Sequence, residues 1–325
     1  MPISCPIFVY IFRTRIKFAA RTKLSTLQGS VPRPSRLILA KNDILSLFAK
    51  TPQKVYSQRQ LANLLQENRH SWHLAASTTV HDFIAFLTKR GNLQARRFRS
   101  KAYGQEITRY AWGDVSPYEM ALSLKARAYF CHATAVTLHG LAKATSKTIY
   151  LNVEQSAKPS YPGSLTQERI DLAFSRKQRQ SNLTYARPGI SVTVIAGKNT
   201  NQLGVEPISD IASQPLAVTN IERTLIDIVV RPAYAGGIVQ VLNVYRRAKD
   251  RVSVERLLKI LKSLDYVYPY HQSIGFLMQK ADYPDKSYAE LRAIGLSYDF
   301  YLAHDIKQPK YSEDWRLFYP KELMA

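Results

Sequence analysis

The fold is decided by residues 57–112, which read SQRQLANLLQENRHSWHLAASTTVHDFIAFLTKRGNLQARRFRSKAYGQEITRYAW. Apolar residues recur at helical spacing in its first half and mix with basic residues around a turn in its second half. This pattern predicts two helices and then two strands: Ser57–Gln66, Thr78–Arg90, Leu93–Phe98 and Ile107–Trp112. Two helices followed by a basic hairpin are typical of a winged helix-turn-helix.

Local signals place the start of the first two helices. Ser57 followed three residues later by Gln60 predicts a capping box at the head of the second helix. A preceding helix is predicted at Asp43–Lys50, with Asn42 as its N-cap.

The third helix is predicted to start near Ser77 and to stop before Gly91, a candidate C-terminal glycine. The connection before it, residues 68–76, is longer than a simple turn. We therefore expect a short additional helix around Trp72.

Positive side chains are concentrated on the hairpin and on the outward face of the third helix. Such residues bind phosphate or read base edges in winged-helix proteins. The candidate nucleic-acid contacts are Thr78, His81, Lys89, Arg96, Arg97, Arg99, Lys101 and Arg109. Asp82 lies on the same helix face. A carboxylate there can accept a hydrogen bond from the N4 amino group of cytosine, but it repels phosphate. The alternative for each residue is a solvated surface.

The composition also points to a polyanionic partner. Lys and Arg total 46 against 24 Asp and Glu, a formal charge of +22. Residues 1–40 carry seven basic and no acidic residues, and residues 41–114 carry twelve and five. The first 40 residues are predicted to be a flexible basic extension, either a true arm or the product of a start codon placed too early.

The two cysteines, Cys5 and Cys131, make no disulfide framework and have no metal-ligand spacing. No apolar run reaches the length of a membrane span. A cytoplasmic protein without a metal or cofactor is expected.

Beyond residue 114 the pattern predicts an α/β domain with a helical C-terminal part, so the fold class is mixed α/β. We divide the chain into a winged helix at 41–114 and a second domain at 115–325, with an α/β part at 115–231 and a mainly helical part at 232–325. Its predicted elements include a strand at Thr148–Val153, a strand at Ile190–Ala196 and an amphipathic helix at Asn220–Val230.

No catalytic motif is recognisable in the sequence. Glycine-rich phosphate loops, catalytic triads and paired carboxylates are missing from it. His139, Cys131, Glu222 and Arg223 are interpreted as structural, with Arg223 paired locally. The protein is therefore expected not to be an enzyme.

Several segments of the second domain resemble the AbiEi antitoxin family. They are HATAVTLHGL at 132–141, TIYLNV at 148–153, VTNIERTLIDIVV at 218–230, RPAYAGG at 231–237 and DWRLFYPKEL at 314–323. The resemblance covers about residues 40–325. Together the ERTLID helix start and the LHGL helix end are more specific than either alone.

The resemblance implies a type IV antitoxin of an abortive-infection system. It implies an N-terminal winged helix that binds inverted repeats in double-stranded DNA at its own promoter and represses it. It also implies a second domain that counters a nucleotidyltransferase toxin without a stable complex. Two alternatives stay open: a nuclease of a defence locus, and a regulator whose 115–231 region holds a small-molecule sensor pocket.

Overall fold

The computed structural model describes residues 35–143, 147–157, 164–209 and 214–324. Most of the predicted basic extension, residues 1–34, lies outside these ranges. Residues 36–325 form one compact unit, and the predicted division at residue 114 stays a prediction. The N-terminal elements are α1 (Arg36–Leu39), α2 (Lys41–Lys50), β1 (Val55–Tyr56), α3 (Gln58–Asn68), α4 (Val80–Arg90), β2 (Leu93–Ser100) and β3 (Glu106–Trp112).

Strands alternate with helices in the middle of the chain. They are α5 (Pro117–Leu122), β4 (Tyr129–Phe130), α6 (His132–Leu138), β5 (Thr148–Glu154), α7 (Gln167–Phe174), β6 (Thr184–Arg187), β7 (Ile190–Gly197), β8 (Val205–Ile208) and β9 (Leu216–Thr219). The C-terminal elements are α8 (Ile221–Val230), α9 (Ile238–Ala248), α10 (Val254–Leu264), α11 (Tyr270–Lys280), α12 (Lys286–Ala293), β10 (Phe300–Tyr301), β11 (Pro309–Ser312) and β12 (Leu317–Pro320). The predicted mixed α/β class is confirmed.

Side-chain caps fix the starts of the N-terminal helices. The predicted capping box of Ser57 and Gln60 is present at α3. Helix α4 begins later than predicted, because Thr79 rather than Ser77 caps it. The predicted N-cap Asn42 is wrong: it lies inside α2, which follows Ala40 without a side-chain cap.

The segment between α3 and α4 is a series of turns, so the helix expected around Trp72 is absent from it. The Arg69 guanidinium organises these turns by donating to the carbonyl oxygens of Ala75, Ala76 and Thr78. One side chain thus satisfies three carbonyl oxygens, and isolated backbone bonds such as Trp72 N to the Asn68 carbonyl oxygen complete the turns. Trp72 is buried and packs against the ring of Phe83.

Gly91 ends α4, but it is not a left-handed C-terminal glycine. Its φ is −112° and its backbone is extended. A Cβ atom there would lie 2.8 Å from Cη2 of Trp112 and 2.7 Å from the Leu87 carbonyl oxygen. Glycine is therefore required by space rather than by backbone angle.

Nine strands of the described chain form one mixed sheet in the order β1-β3-β2-β6-β7-β5-β4-β9-β8. The pairs β5–β7 and β4–β9 are parallel and the other neighbours are antiparallel. Strand β2 pairs with β6 through Arg99–Ala186 and Ser100–Tyr185. The N-terminal hairpin is thus continuous with the sheet of the second half, across residue 114.

The two faces of the hairpin contact different hydrophobic cores. Leu93 packs with the core of α2, α3 and α4, and Phe98 packs with the core formed on the second half of the sheet. A third, larger core contains α8 to α11 together with Trp315. A small sheet, β10-β12-β11, lies in the part predicted to be mainly helical.

Helix α8 is buried all round rather than amphipathic. Residues Glu222–Val229 are all buried, including Glu222, Arg223 and Asp227. A helix of this kind belongs in the interior of a domain. None of the described helices is long and apolar enough to cross a bilayer.

Close packing at Gly275 of α11 gives a stability prediction. A Cβ atom there would lie 2.1 Å from Cη2 of the buried Trp315. We expect Gly275→Ala to lower the free energy of unfolding by about 1–3 kcal/mol through overpacking, measured by urea unfolding. The exposed control Ala289→Ser should stay within about 0.5 kcal/mol of the wild type. Unchanged or raised stability in Gly275→Ala would contradict the packing described.

Candidate functional site

The exposed cations of the hairpin lie on one face of β2. Arg97 and Arg99 are exposed and share a face with Leu93, which packs on the helices. Across the ladder they oppose Thr108 and Glu106. The ion pairs found among the described residues involve neither arginine. Both guanidinium groups are therefore available to an anionic partner.

The exposed side of α4 adds further candidates. His81 and Lys89 are exposed and lie on the side of α4 away from the buried Phe83. Thr78 lies before the helix, where its carbonyl oxygen accepts from Arg69. Arg90 is also exposed in the last turn, and the sequence analysis did not select it.

Asp82 is directed at the start of its own helix. Its Oδ2 atom accepts hydrogen bonds from the backbone N and the Oγ1 of Thr79, at 2.9 and 2.7 Å. These bonds lower the pKa of the carboxyl group below its usual value. The carboxylate therefore caps the N-terminus of α4 and stabilises the helix through a favourable interaction with its dipole.

Arg109 is placed differently from the prediction. Its Nε atom donates to the carbonyl oxygen of Ser123 at 2.8 Å, and its Nη2 atom lies 3.5 Å from that of Leu124. A cation there satisfies carbonyl oxygens of the turn that directly follows α5 and interacts favourably with the C-terminal end of the helix. We therefore remove Arg109 from the candidate interface.

Arg96 opposes Arg109 and shares its face of the hairpin, away from Arg97 and Arg99. Its guanidinium donates to the Gln94 side chain and is half-buried. Lys101 is exposed in the turn, and its backbone N donates to the Thr184 carbonyl oxygen. The hairpin tip is thus held on the sheet while the Lys101 side chain stays in solvent.

A buried polar cluster in the second half escaped the sequence analysis. Arg223 and Asp227 form an ion pair with 2.8 Å between Nε and Oδ1, as the local pairing of Arg223 predicts. Glu154 accepts from Tyr129, from Thr200 and from the backbone of Gln202. These residues come from distant positions in the chain, so no short motif marks them.

His139 is half-buried, and its Nε2 atom contacts the Thr219 carbonyl oxygen at 2.6 Å. It joins α6 to the strand before α8, which fits its structural interpretation. Cys131 is fully buried, as expected. In the described ranges, no three His, Cys, Asp or Glu side chains are grouped in a way that holds a metal ion.

His132 is the least satisfied side chain of this cluster. It is 5% exposed, and its Nδ1 atom has no hydrogen-bond partner among the described residues. Its φ of 50° is unusual for a residue with a side chain. Burial lowers the pKa of its imidazole to about 4, with smaller effects from Asp227, Arg231 and Arg223.

Comparison with known proteins shows the fold only. No protein-family model matches the chain, and no curated protein matches it in sequence. Among solved structures it is similar to the Rv2827c protein from Mycobacterium tuberculosis, with a TM-score of 0.52 and 15% identity. The match covers 86% of this chain and 91% of that chain.

The placement of Arg109 gives a second stability prediction. Arg109→Met should lower the free energy of unfolding by about 1–3 kcal/mol, because the carbonyl oxygens of Ser123 and Leu124 lose a charged donor. The control Arg97→Met, at an exposed site, should change it by less than about 0.5 kcal/mol. Chemical unfolding of both variants provides the measurement. Equal effects would mean that the α5 contact contributes no stability.

His132 predicts a loss of stability in mild acid. The folded protein keeps this imidazole neutral down to about pH 4, whereas the unfolded chain binds the proton below its ordinary pKa of 6.5. Stability from this group is therefore fully present above pH 6.5 and decreases as the pH falls toward 4. The decrease is at most about 1.4 kcal/mol per pH unit.

Unfolding free energies measured between pH 7 and pH 4 test this assignment. His132→Gln should show a flatter dependence on pH than the wild type. His70→Gln, at an exposed position, should keep the wild-type dependence. Identical slopes for wild type and His132→Gln would refute the assignment.

Proposed function

We propose that this protein is a DNA-binding transcription regulator that represses its own promoter. The observation that carries the proposal is a set of exposed cations on α4, on one face of β2 and in the hairpin turn, none of which forms an ion pair with a described residue: Lys89, Arg90, Arg97, Arg99 and Lys101. The order helix, strand, helix, helix and hairpin, with β1 paired to β3, supports a winged helix.

The proposed contact divides into two parts. Lys89 and His81 on α4 are assigned to the major groove, and Arg97, Arg99 and Lys101 to the phosphate backbone or minor groove. Asp82 is assigned to the N-terminal cap of α4 rather than to DNA, because Thr79 donates two hydrogen bonds to its carboxylate. Arg96 and Arg109 are left out.

We further propose that the protein acts in the cytoplasm as an antitoxin of the type IV kind. The resemblance of residues 132–141, 148–153 and 218–237 to AbiEi antitoxins supports this role. Its functional partner is then a nucleotidyltransferase toxin, countered without a stable complex. The role is one of binding and regulation rather than catalysis.

Gel-shift titration with DNA from upstream of its own reading frame tests the DNA-binding proposal. The triple variant Arg97→Gln, Arg99→Gln and Lys101→Gln should weaken binding to all sequences. It should reduce the slope of log affinity against log salt by up to about 3, at about 0.9 for each lost phosphate contact.

A matched triple variant, Arg246→Gln, Lys259→Gln and Lys262→Gln, removes the same charge from exposed positions of α9 and α10. It should keep the wild-type affinity and salt slope. Equal losses in the two triple variants would show that net charge, and not the hairpin, binds DNA. No binding by the wild type at low salt would overturn the proposal.

The proposal predicts that a neighbouring gene encodes a nucleotidyltransferase, and co-expression with that gene product tests the antitoxin role. Growth should be restored by the wild type and equally by the hairpin triple variant, because the second activity is assigned to residues beyond 114. Continued growth arrest with the wild type would reject the antitoxin role and leave the DNA-binding role standing.

A further inference from the structure

A cavity of about 110 Å³ lies where the parallel strands β5 and β7 end. The carboxyl ends of parallel strands are where α/β sheets commonly bind ligands. Helix α8 and the start of α6 form its other walls. The lining residues are His132, Asn152, Ile195, Gly197, Lys198, Arg223, Asp227, Val230, Arg231 and Tyr266.

The volume exceeds what one ordered water fills. A single buried water needs roughly 10–15 Å³ measured in this way. The cavity therefore has room for a compact group of several heavy atoms. Gly197 allows the Asn152 side chain on the cavity wall to approach β7 closely, since a Cβ atom there would lie 2.4 Å from Oδ1 of Asn152.

His132 lines the cavity and carries a polar atom without a partner among the described residues. The side chain is buried, and its Nδ1 atom has no partner among the described residues. An unpaired buried polar atom costs roughly 1–3 kcal/mol, so a partner inside the cavity is favoured. A neutral imidazole that carries its proton on Nδ1 can donate to an oxygen atom there.

Two arginines also carry N–H groups that donate to no described residue. Arg223 uses Nε for Asp227 and Nη1 for the Leu203 carbonyl oxygen, and no described residue accepts from its Nη2. The Arg231 guanidinium, at the C-terminal end of α8, makes no hydrogen bond or ion pair with any described residue. Arginine presents its donors in a planar fork that matches oxyanions.

The charges around the cavity are mainly positive. Lys198, Arg223 and Arg231 face the single carboxylate of Asp227, which is paired with Arg223. The Lys198 ammonium donates to the carbonyl oxygens of Leu264 and Asp265, so it contributes charge rather than a free donor. A metal cation is disfavoured here, and an anion is favoured.

We propose that this cavity binds a phosphate-class oxyanion, held by Arg231, by Nη2 of Arg223 and by Nδ1 of His132. The inference rests on these residues and is independent of the proposed DNA binding. The group is either free phosphate or the phosphoryl end of a larger molecule that enters beside the half-exposed Arg231.

Isothermal titration of the full chain with inorganic phosphate tests this site, with chloride adjusted to keep the ionic strength constant. Arg231→Met should weaken phosphate binding at least about tenfold, because it removes a charged bidentate donor. Arg246→Met, which removes the same charge from the exposed face of α9, should bind as the wild type does.

Nitrogen-15 spectra of the imidazoles give a second readout that needs no change at a buried residue. Phosphate should shift the ring signals of His132 in the wild type and in Arg246→Met. It should not shift them in Arg231→Met at the same concentration. The spectra also show whether each variant is folded.

Two results would overturn the proposal. One is phosphate affinity that is equal in the wild type and in Arg231→Met, which would leave a water-filled cavity. The other is an equal loss in Arg231→Met and Arg246→Met, which would indicate binding to surface charge. A parallel titration with AMP distinguishes the source of the group: tighter binding than phosphate identifies a nucleotide end, and weaker binding identifies the free ion.

Discussion

The buried ion pair of Arg223 and Asp227 is the interaction on which the second half of the structure depends. It lies on α8, which contacts α6, α9, α10 and α11 and follows directly on β9. Removing one member of such a pair leaves an uncompensated charge in the interior, which typically costs about 3–5 kcal/mol. Helix α8 thus connects β9 to α9, α10 and α11, and its burial depends on the pairing of these two charges. Glu222, on the same helix, is satisfied by the backbone N of Ser253 at the start of α10.

The same arrangement explains why polar groups gather at the end of β5 and β7. Arg223 reaches past Asp227 to the loop at Leu203, and Glu154 binds the neighbouring Thr200 and Gln202. These polar side chains together lie at the carboxyl ends of the parallel strands β5 and β7. The sequence left open that the second half holds a small-molecule sensor. The cavity beside these polar side chains gives that alternative a definite location.

Local sequence signals predicted the elements that depend on neighbours in the chain. Strands β5 and β7 lie within one residue of the predicted bounds, because apolar spacing and β-branched residues determine them. The four-residue strands β8 and β9 were not predicted, since segments so short have no readable period. The sequence predicted an amphipathic helix at 220–230, because charges on a helix normally face water. Only the tertiary contacts of Glu222 with Ser253 and of Arg223 with Leu203 reverse that expectation.

The candidate interface residues also differ in whether local sequence or distant contacts determine their positions. Alternation along β2 is enough to place Arg97 and Arg99 on one face, whatever the rest of the protein does. The position of Arg109 depends on carbonyl oxygens of the turn after α5, 14 and 15 residues later. His132 and Arg231 come together only through the packing of α6 on α8, and the segments around them contain no ligand-binding motif that links the two.

The pairing of β2 with β6 has a practical consequence for dissecting the protein. A fragment ending at residue 114 would lose β6 and leave the outer edge of β2, from Arg99 to Ser100, without its partner. It would also uncover Phe98, which is fully buried. Open strand edges beside exposed aromatic rings promote association between chains. Self-association of the isolated N-terminal part would therefore reflect the cut and not an oligomeric state of the intact chain.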